Sequence, residues 1–142
     1  MSRTRLPTPW IGLDSDFDLS PYAGFIYQIT ELDTGCRYIG KKVFWFKRKK
    51  KVKGQKRKKR VTTESDWKQY RSSSKTLKAL IDKRGLDKFE FRILKLCKTK
   101  AQINFSETEA LFKNEVLHAT LPNGKPMFFN DNILGRYYRG KV

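Results

Sequence analysis

The chain has little cysteine, a single histidine and no long apolar run, and each shortage closes off a class of function. Cys36 and Cys97 are far apart and lack CxxC spacing, so they suggest neither a disulfide framework nor a zinc site. His118, alone, cannot build a metal centre from several imidazoles. No stretch approaches the roughly 18 apolar residues that a membrane-spanning helix requires. The opening "MSRTRLPTPWIGLDSD" lacks the continuous apolar segment of a secretory signal. Acid is scarce too: 14 Asp and Glu face 32 Lys and Arg, a net charge of +18. A cytoplasmic location with reduced thiols is the expectation, and the expected partner is a polyanion, ordinarily nucleic acid. A membrane-surface role would need a basic helix with a bulky apolar face, which the sequence does not offer.

What is present suits one compact domain: 142 residues, 38% hydrophobic and 13% aromatic. Residues 1–22 read as a loosely ordered leader pinned by Trp10 and Ile11, and 23–142 as the domain. "GFIYQIT", the turn "DTG" and "RYIGKKVFWF" predict a hairpin. A loop at Asp33-Thr34 sets Leu32 opposite Gly35, Tyr38 opposite Ile29 and Gly40 opposite Tyr27. Tyr27 and Tyr38 then share a face as diagonal neighbours, with Cβ atoms about 7–8 Å apart. Gly40 would leave room above it for a bulky ligand. A loop of odd length would instead put the two phenols on opposite faces.

Residues 41–60, "KKVFWFKRKKKVKGQKRKKR", contain 13 basic side chains among 20. Val43, Phe44, Trp45, Phe46 and Val52, with "KGQ" as a turn, predict a basic β-ribbon insert over 41–64. Aromatics interleaved with cations suit backbone contact and base stacking. The candidate nucleic-acid contacts are Lys41, Lys42, Lys47, Arg48, Lys49 and Lys50 on the outgoing side. Lys56, Arg57, Lys58, Lys59 and Arg60 supply the return. Ser73 or Ser74 caps a helix carrying Leu77, Leu80 and Ile81 and ending at Gly85. "KFEFRILKLC" alternates as a strand, and Thr99 with Gln102 caps a helix over 99–118. The order predicts an α/β (α+β) sandwich, helices packed on a small mixed sheet.

On a wheel of about 100° per residue, Ala101, Phe105, Phe112 and Val116 form an apolar stripe with Glu109 inside it and Glu107 opposite. A carboxylate on an apolar face costs several kcal/mol unless paired or metal-bound, which marks Glu109 as the acid for chemistry. Ser106-x-x-Glu109 is equally a capping box if the helix begins at Ser106. Asp66-Trp67-Lys68 has the D-x-K form of a different nuclease class, a form that a lysine-rich chain produces easily by chance.

"FIYQI" and "RYIGK" together resemble the two-part signature of the GIY-YIG endonuclease superfamily. The order that follows is similar as well over residues 24–132: a basic segment, "SSSKTLKALIDKRGLDKFEFRIL", a helix with a glutamate, then an asparagine. "SDWKQY" with "SSSKTLK" is similar to small phage-type, homing-like members. Phe25 stands at the signature's glycine, with Gly24 one earlier. The resemblance implies a metal-dependent DNA endonuclease that nicks or cuts both strands, with Tyr27 and Tyr38 as the signature tyrosines. It implies Glu109 as ligand of Mg²⁺ or Mn²⁺, and Asn130, or Asn132 in its place, as a supporting polar group. Arg48 takes the part of the catalytic arginine, with Arg57, Arg60 and Lys42 left open. Tyr27 is the expected acceptor of a proton from the attacking water, with nearby cations favouring the phenolate. Duplex DNA is the favoured partner, and monomer or homodimer stays open. The alternatives are a non-catalytic basic nucleic-acid-binding protein and an interaction protein that keeps the fold without cutting.

Overall fold

The computed structural model describes residues 8–14, 16–51, 53–54 and 56–142. Three strands come first: β1 (Trp10–Ile11), β2 (Gly24–Glu31) and β3 (Arg37–Val43). β4 (Trp45–Lys51) and β5 (Lys58–Glu64) follow, then α1 (Lys75–Arg84), β6 (Phe89–Cys97) and α2 (Lys100–Lys113). Two short strands, β7 (Asn132–Ile133) and β8 (Tyr137–Tyr138), close the chain.

The turn dictates the register of the first hairpin. Glu31 N–H donates to the Cys36 carbonyl at 2.8 Å, and Gly35, at φ +77°, returns its N–H to the Glu31 carbonyl. That even loop gives Ile29 opposite Tyr38 and Tyr27 opposite Gly40, as the sequence predicts. The main sheet runs β1-β6-β2-β3, with β1 parallel to β6 and the other pairs antiparallel. β4 and β5 form a separate two-stranded ribbon within the expected 41–64 insert, starting at Trp45 because residues 41–43, Lys41 and Lys42 among them, complete β3 of the main sheet. The whole is a mixed-sheet α+β fold.

Alternation splits the core in two. On one face Phe25, Tyr27, Ile29 and Phe91 meet Trp10, Phe44, Trp67 and the buried Leu77 and Ile81 of α1. On the other, Ile26, Ile39 and Cys97 meet Ile103 and Leu111 of α2, with Val116, Phe128 and Ile133. Helix α1 starts where Ser74 Oγ accepts the Leu77 N–H and stops at Gly85, both as the sequence predicts. Among residues 8–14 the expected pin, Trp10, is in place, and it holds the segment as a strand of the sheet. Trp10 is buried, donates from Nε1 to the Trp67 carbonyl at 2.8 Å, and stands in the sheet as β1. Residues 1–7 lie outside the described residues. Among the described residues no helix is long and apolar enough to cross a membrane.

Candidate active site

Tyr27 and Tyr38 come together because strand periodicity puts both on the α1 face of the sheet; their ring centroids are 6.2 Å apart. Tyr27 is wholly buried, ringed by Trp10 at 4.9 Å and Tyr70 at 6.0 Å. A β-bulge precedes it, where the register against β6 shifts between Ile26 and Tyr27. Its ring lies over Gly40: a Cβ there would sit 2.5 Å from Tyr27 Cζ. The room expected above Gly40 for a ligand is therefore filled by Tyr27 itself. Tyr27 Oη is buried beside the Tyr70 phenol without a hydrogen bond of good geometry, whereas Tyr38 is half-buried and its Oη lies 2.9 Å from Ser73 Oγ.

Burial pushes the Tyr27 phenol well above its usual range, and the neighbouring Tyr70 and Tyr38 phenols add to this. Burial also raises Tyr38, with the Ser73 hydrogen bond pulling the other way. The expected tuning toward phenolate by nearby cations is thus overturned. Desolvation wins, and both phenols are held protonated at neutral pH.

The carboxylate that reaches this edge is Glu107, and Glu109 points away from it. Helix α2 buries Ile103, Ser106 and Leu111 and leaves Phe105 and Phe112 67% and 52% exposed, so the expected stripe faces outward along the helix and Glu109 is exposed with it, while Val116, past the helix end at Lys113, is buried. At about 100° per residue, Glu107 falls about 40° from Ile103 and Glu109 about 120° away. Glu107 is 18% exposed at its side chain, 3.8 Å from Lys41 Nζ. Burial raises its carboxyl above the usual range, opposed by Lys41. A cleft of about 310 Å³ at the β3 edge brings Glu107, Tyr38, Lys41, Ser73, Asn130 and Asp131 to one opening. Helix α2 reaches that edge from one face of the sheet and Tyr38 from the other.

Asn130 is buried and fully engaged. Its Oδ1 accepts the Ile39 N–H at 3.0 Å and its Nδ2 donates to the Ile39 carbonyl at 2.8 Å, closing the β3 edge as another strand would. Asn132 lines the same cleft, but its side chain is turned to Asp131 and the Gly135 N–H. Arg139 fixes this segment from outside, its guanidinium donating to the carbonyls of Val116, Leu117, Phe128 and Asn130.

The basic residues divide. Lys41 reaches Asn104 at 2.8 Å on the Glu107 side. Lys42 is 12% exposed at its side chain, sits 4.1 Å over the Tyr70 ring and pairs with Asp66 at 2.7 Å. Asp66, drawn below its usual range by that hydrogen bond, is the D-x-K acid; Trp67 beside it is buried in the core. Among the described residues no three acids, histidines or cysteines cluster. Arg48 lies out on β4 with its guanidinium 5.4 Å over Phe46, and the structure gives it no contact with the tyrosines or Glu107. Lys47, Lys49, Lys59 and Arg60 are exposed along the ribbon, and Lys56 and Arg57 are exposed at its tip. The side chains of Lys50 and Lys58, and residues Val52 and Gln55, lie outside the described residues.

Sequence reasoning missed Tyr70, Ser73 and Glu107 as site residues. "SDWKQY" held the first, three residues after a buried tryptophan, but nothing local separates it from a core tyrosine.

A family model described as "Putative endonuclease segE, GIY-YIG domain" matches residues 10–133, from β1 to the end of β7. No curated protein and no solved structure matches the chain. The two tyrosines paired across one hairpin, the acid-bearing helix at its edge and a match over most of the chain agree: this chain belongs to the GIY-YIG endonuclease family, whose members hydrolyse phosphodiester bonds.

Proposed function

We propose that this chain is a divalent-metal-dependent DNA endonuclease working at the β3 edge, in the manner of phage-borne, homing-type nucleases. The observation that carries the reading is one opening lined by a phenol, a desolvated carboxylate and a lysine, Tyr38, Glu107 and Lys41, in a chain of net charge +18. Three groups of that chemistry in so basic a chain suit a phosphodiester rather than a neutral substrate.

Tyr38, not Tyr27, is the phenol that meets the attacking water, because Tyr27 is sealed beneath it. Tyr38 Oη accepts a proton from water as it passes its own to Ser73 Oγ and on to solvent, a relay that needs no free phenolate. Tyr27 holds the Tyr38 ring from below. Lys41 and Lys42 offset the phosphate charge, taking the part expected of Arg48. Asn130 is a positioning residue, since both ends of its amide are spent on Ile39.

Glu107 fits a hard divalent cation: one poorly solvated carboxylate, with no second protein ligand required by an ion such as Mg²⁺ that keeps several waters. When bound, such an ion would neutralise charge developing on the phosphate and the leaving oxygen.

The test is supercoiled plasmid incubated with Mg²⁺ and with chelator, using the parent chain and Tyr38→Phe. Expected are metal-dependent nicks or breaks by the parent and a loss on the order of 10²–10⁴-fold in Tyr38→Phe. Binding of plasmid with no cutting under any divalent ion would leave a basic DNA-binding protein instead.

A further inference from the structure

The β4–β5 ribbon carries cations on both of its faces. Residues opposed in an antiparallel pair share a face. The register Lys47↔Thr62 and Lys49↔Arg60 therefore puts Lys47, Lys49 and Arg60 on one side, while Arg48↔Val61 and Lys50↔Lys59 put Arg48 and Lys59 on the other. All five side chains are exposed. A ribbon lying flat on one phosphate backbone would employ one face and leave the other repelling itself in water. Cations on two faces match phosphates on two sides, and a groove of duplex nucleic acid is walled in that way.

Dimensions choose the groove. Paired strands lie about 4.8 Å apart. The major groove of B-form DNA, about 12 Å wide, admits a two-stranded ribbon, whereas the minor groove is about 6 Å wide. The deep, narrow major groove of A-form RNA shuts side chains out. Seven residue pairs, from Trp45↔Glu64 to Lys51↔Lys58, set the ribbon's length. At about 3.4 Å per residue they reach about 20 Å, or about six base pairs.

The ribbon is also aimed. Its base is fixed by buried Phe44, by the Ser65 N–H donating to the Phe44 carbonyl at 2.7 Å, and by Trp45 Nε1 donating to the Tyr22 carbonyl at 2.9 Å. From the tyrosines a row of rings and cations leads onto it. Lys42 lies over Tyr70 and 5.2 Å from Phe46, and Arg48 lies 5.4 Å from Phe46.

The geometry points to the β4–β5 ribbon inserting into the major groove of duplex DNA beside the cut bond, with both faces on phosphates, so that it sets where Tyr38 meets the strand. The inference takes its substrate class from the endonuclease reading; its docking mode stands on the ribbon alone.

Binding to a short DNA duplex in chelator, followed across salt concentrations, tests it. Lys47→Ala with Lys49→Ala strips one face, and Arg48→Ala with Lys59→Ala strips the other; the single substitutions Lys49→Ala and Arg48→Ala repeat the comparison. Expected is a shallower slope of log K against log salt for both faces, by about 0.9 for each phosphate that is no longer neutralised. Methyl green, a major-groove ligand, should displace the parent chain, and netropsin, a minor-groove ligand, should not. A slope change confined to one face, displacement by netropsin alone, or equal binding of duplex RNA overturns the inference. A parent that shows two-faced slopes but never cuts plasmid sinks the endonuclease reading and leaves groove docking standing. Cutting with a one-faced slope does the reverse.

Discussion

Removing the Tyr27 hydroxyl separates what that group does for the fold from what it does for the site. Tyr27 Oη is buried beside the Tyr70 phenol without a hydrogen bond of good geometry, and a poorly satisfied buried polar group costs about 1–3 kcal/mol, so Tyr27→Phe is expected to be at least as stable as the parent in urea unfolding. The sign of its pH dependence follows from burial. With a folded-state pKa raised above the free value near 10, the stability tied to the protonated phenol is complete below that free value. It is lost as pH rises through the folded value, so Tyr27→Phe should flatten the alkaline fall in stability. A Tyr27→Phe chain that is less stable than the parent and unfolds as steeply above pH 10 would contradict both points. The tyrosine pair was legible in the sequence because turn parity fixes which residues share a face. The occupant of the space above Gly40 was not, because a ring's rotamer is decided by neighbours such as Trp10 and Tyr70 that arrive from distant parts of the chain.

At the scale of elements, the strands and caps that hydrophobic alternation and capping chemistry specify formed where expected. Helix α2 formed but ends at Lys113 rather than running to 118, and its outward and inward faces are exchanged. Phe105 and Phe112 look like core and lie exposed, the latter packing its ring on Tyr137 at 6.0 Å. Ser106 is buried in their stead. Bulk misled because this helix packs through small and aliphatic side chains at the edge strand, and only tertiary contact reveals that. In the N-terminal segment Trp10 is legible as a pin, and it contacts Phe25, Tyr27 and Phe91 edge-on; the strand it forms is not legible, because two residues carry too little periodicity. Trp10→Ala should lower stability by about 3–5 kcal/mol in denaturant unfolding and slow cleavage, since it removes the wall behind Tyr27. A loss below about 1 kcal/mol would return residues 8–14 to the status of a leader.

Over the whole molecule, the site is an edge assembled from four separated stretches. Tyr38 and Lys41 come from β3, Ser73 from the approach to α1, Glu107 from α2, and Asn130 from a segment clamped to β3 and held by Arg139. Charge composition pointed to the polyanionic partner without help from the fold, because +18 needs no geometry to be read. The position of the acid needed all of it. Single-turnover cleavage of supercoiled plasmid in Mg²⁺, comparing Glu107→Gln with Glu109→Gln, tests that placement most directly. Glu107→Gln is expected to lose on the order of 10²–10³-fold in rate while Glu109→Gln cuts as the parent does. Retained cutting by Glu107→Gln, with loss in Glu109→Gln, would contradict it.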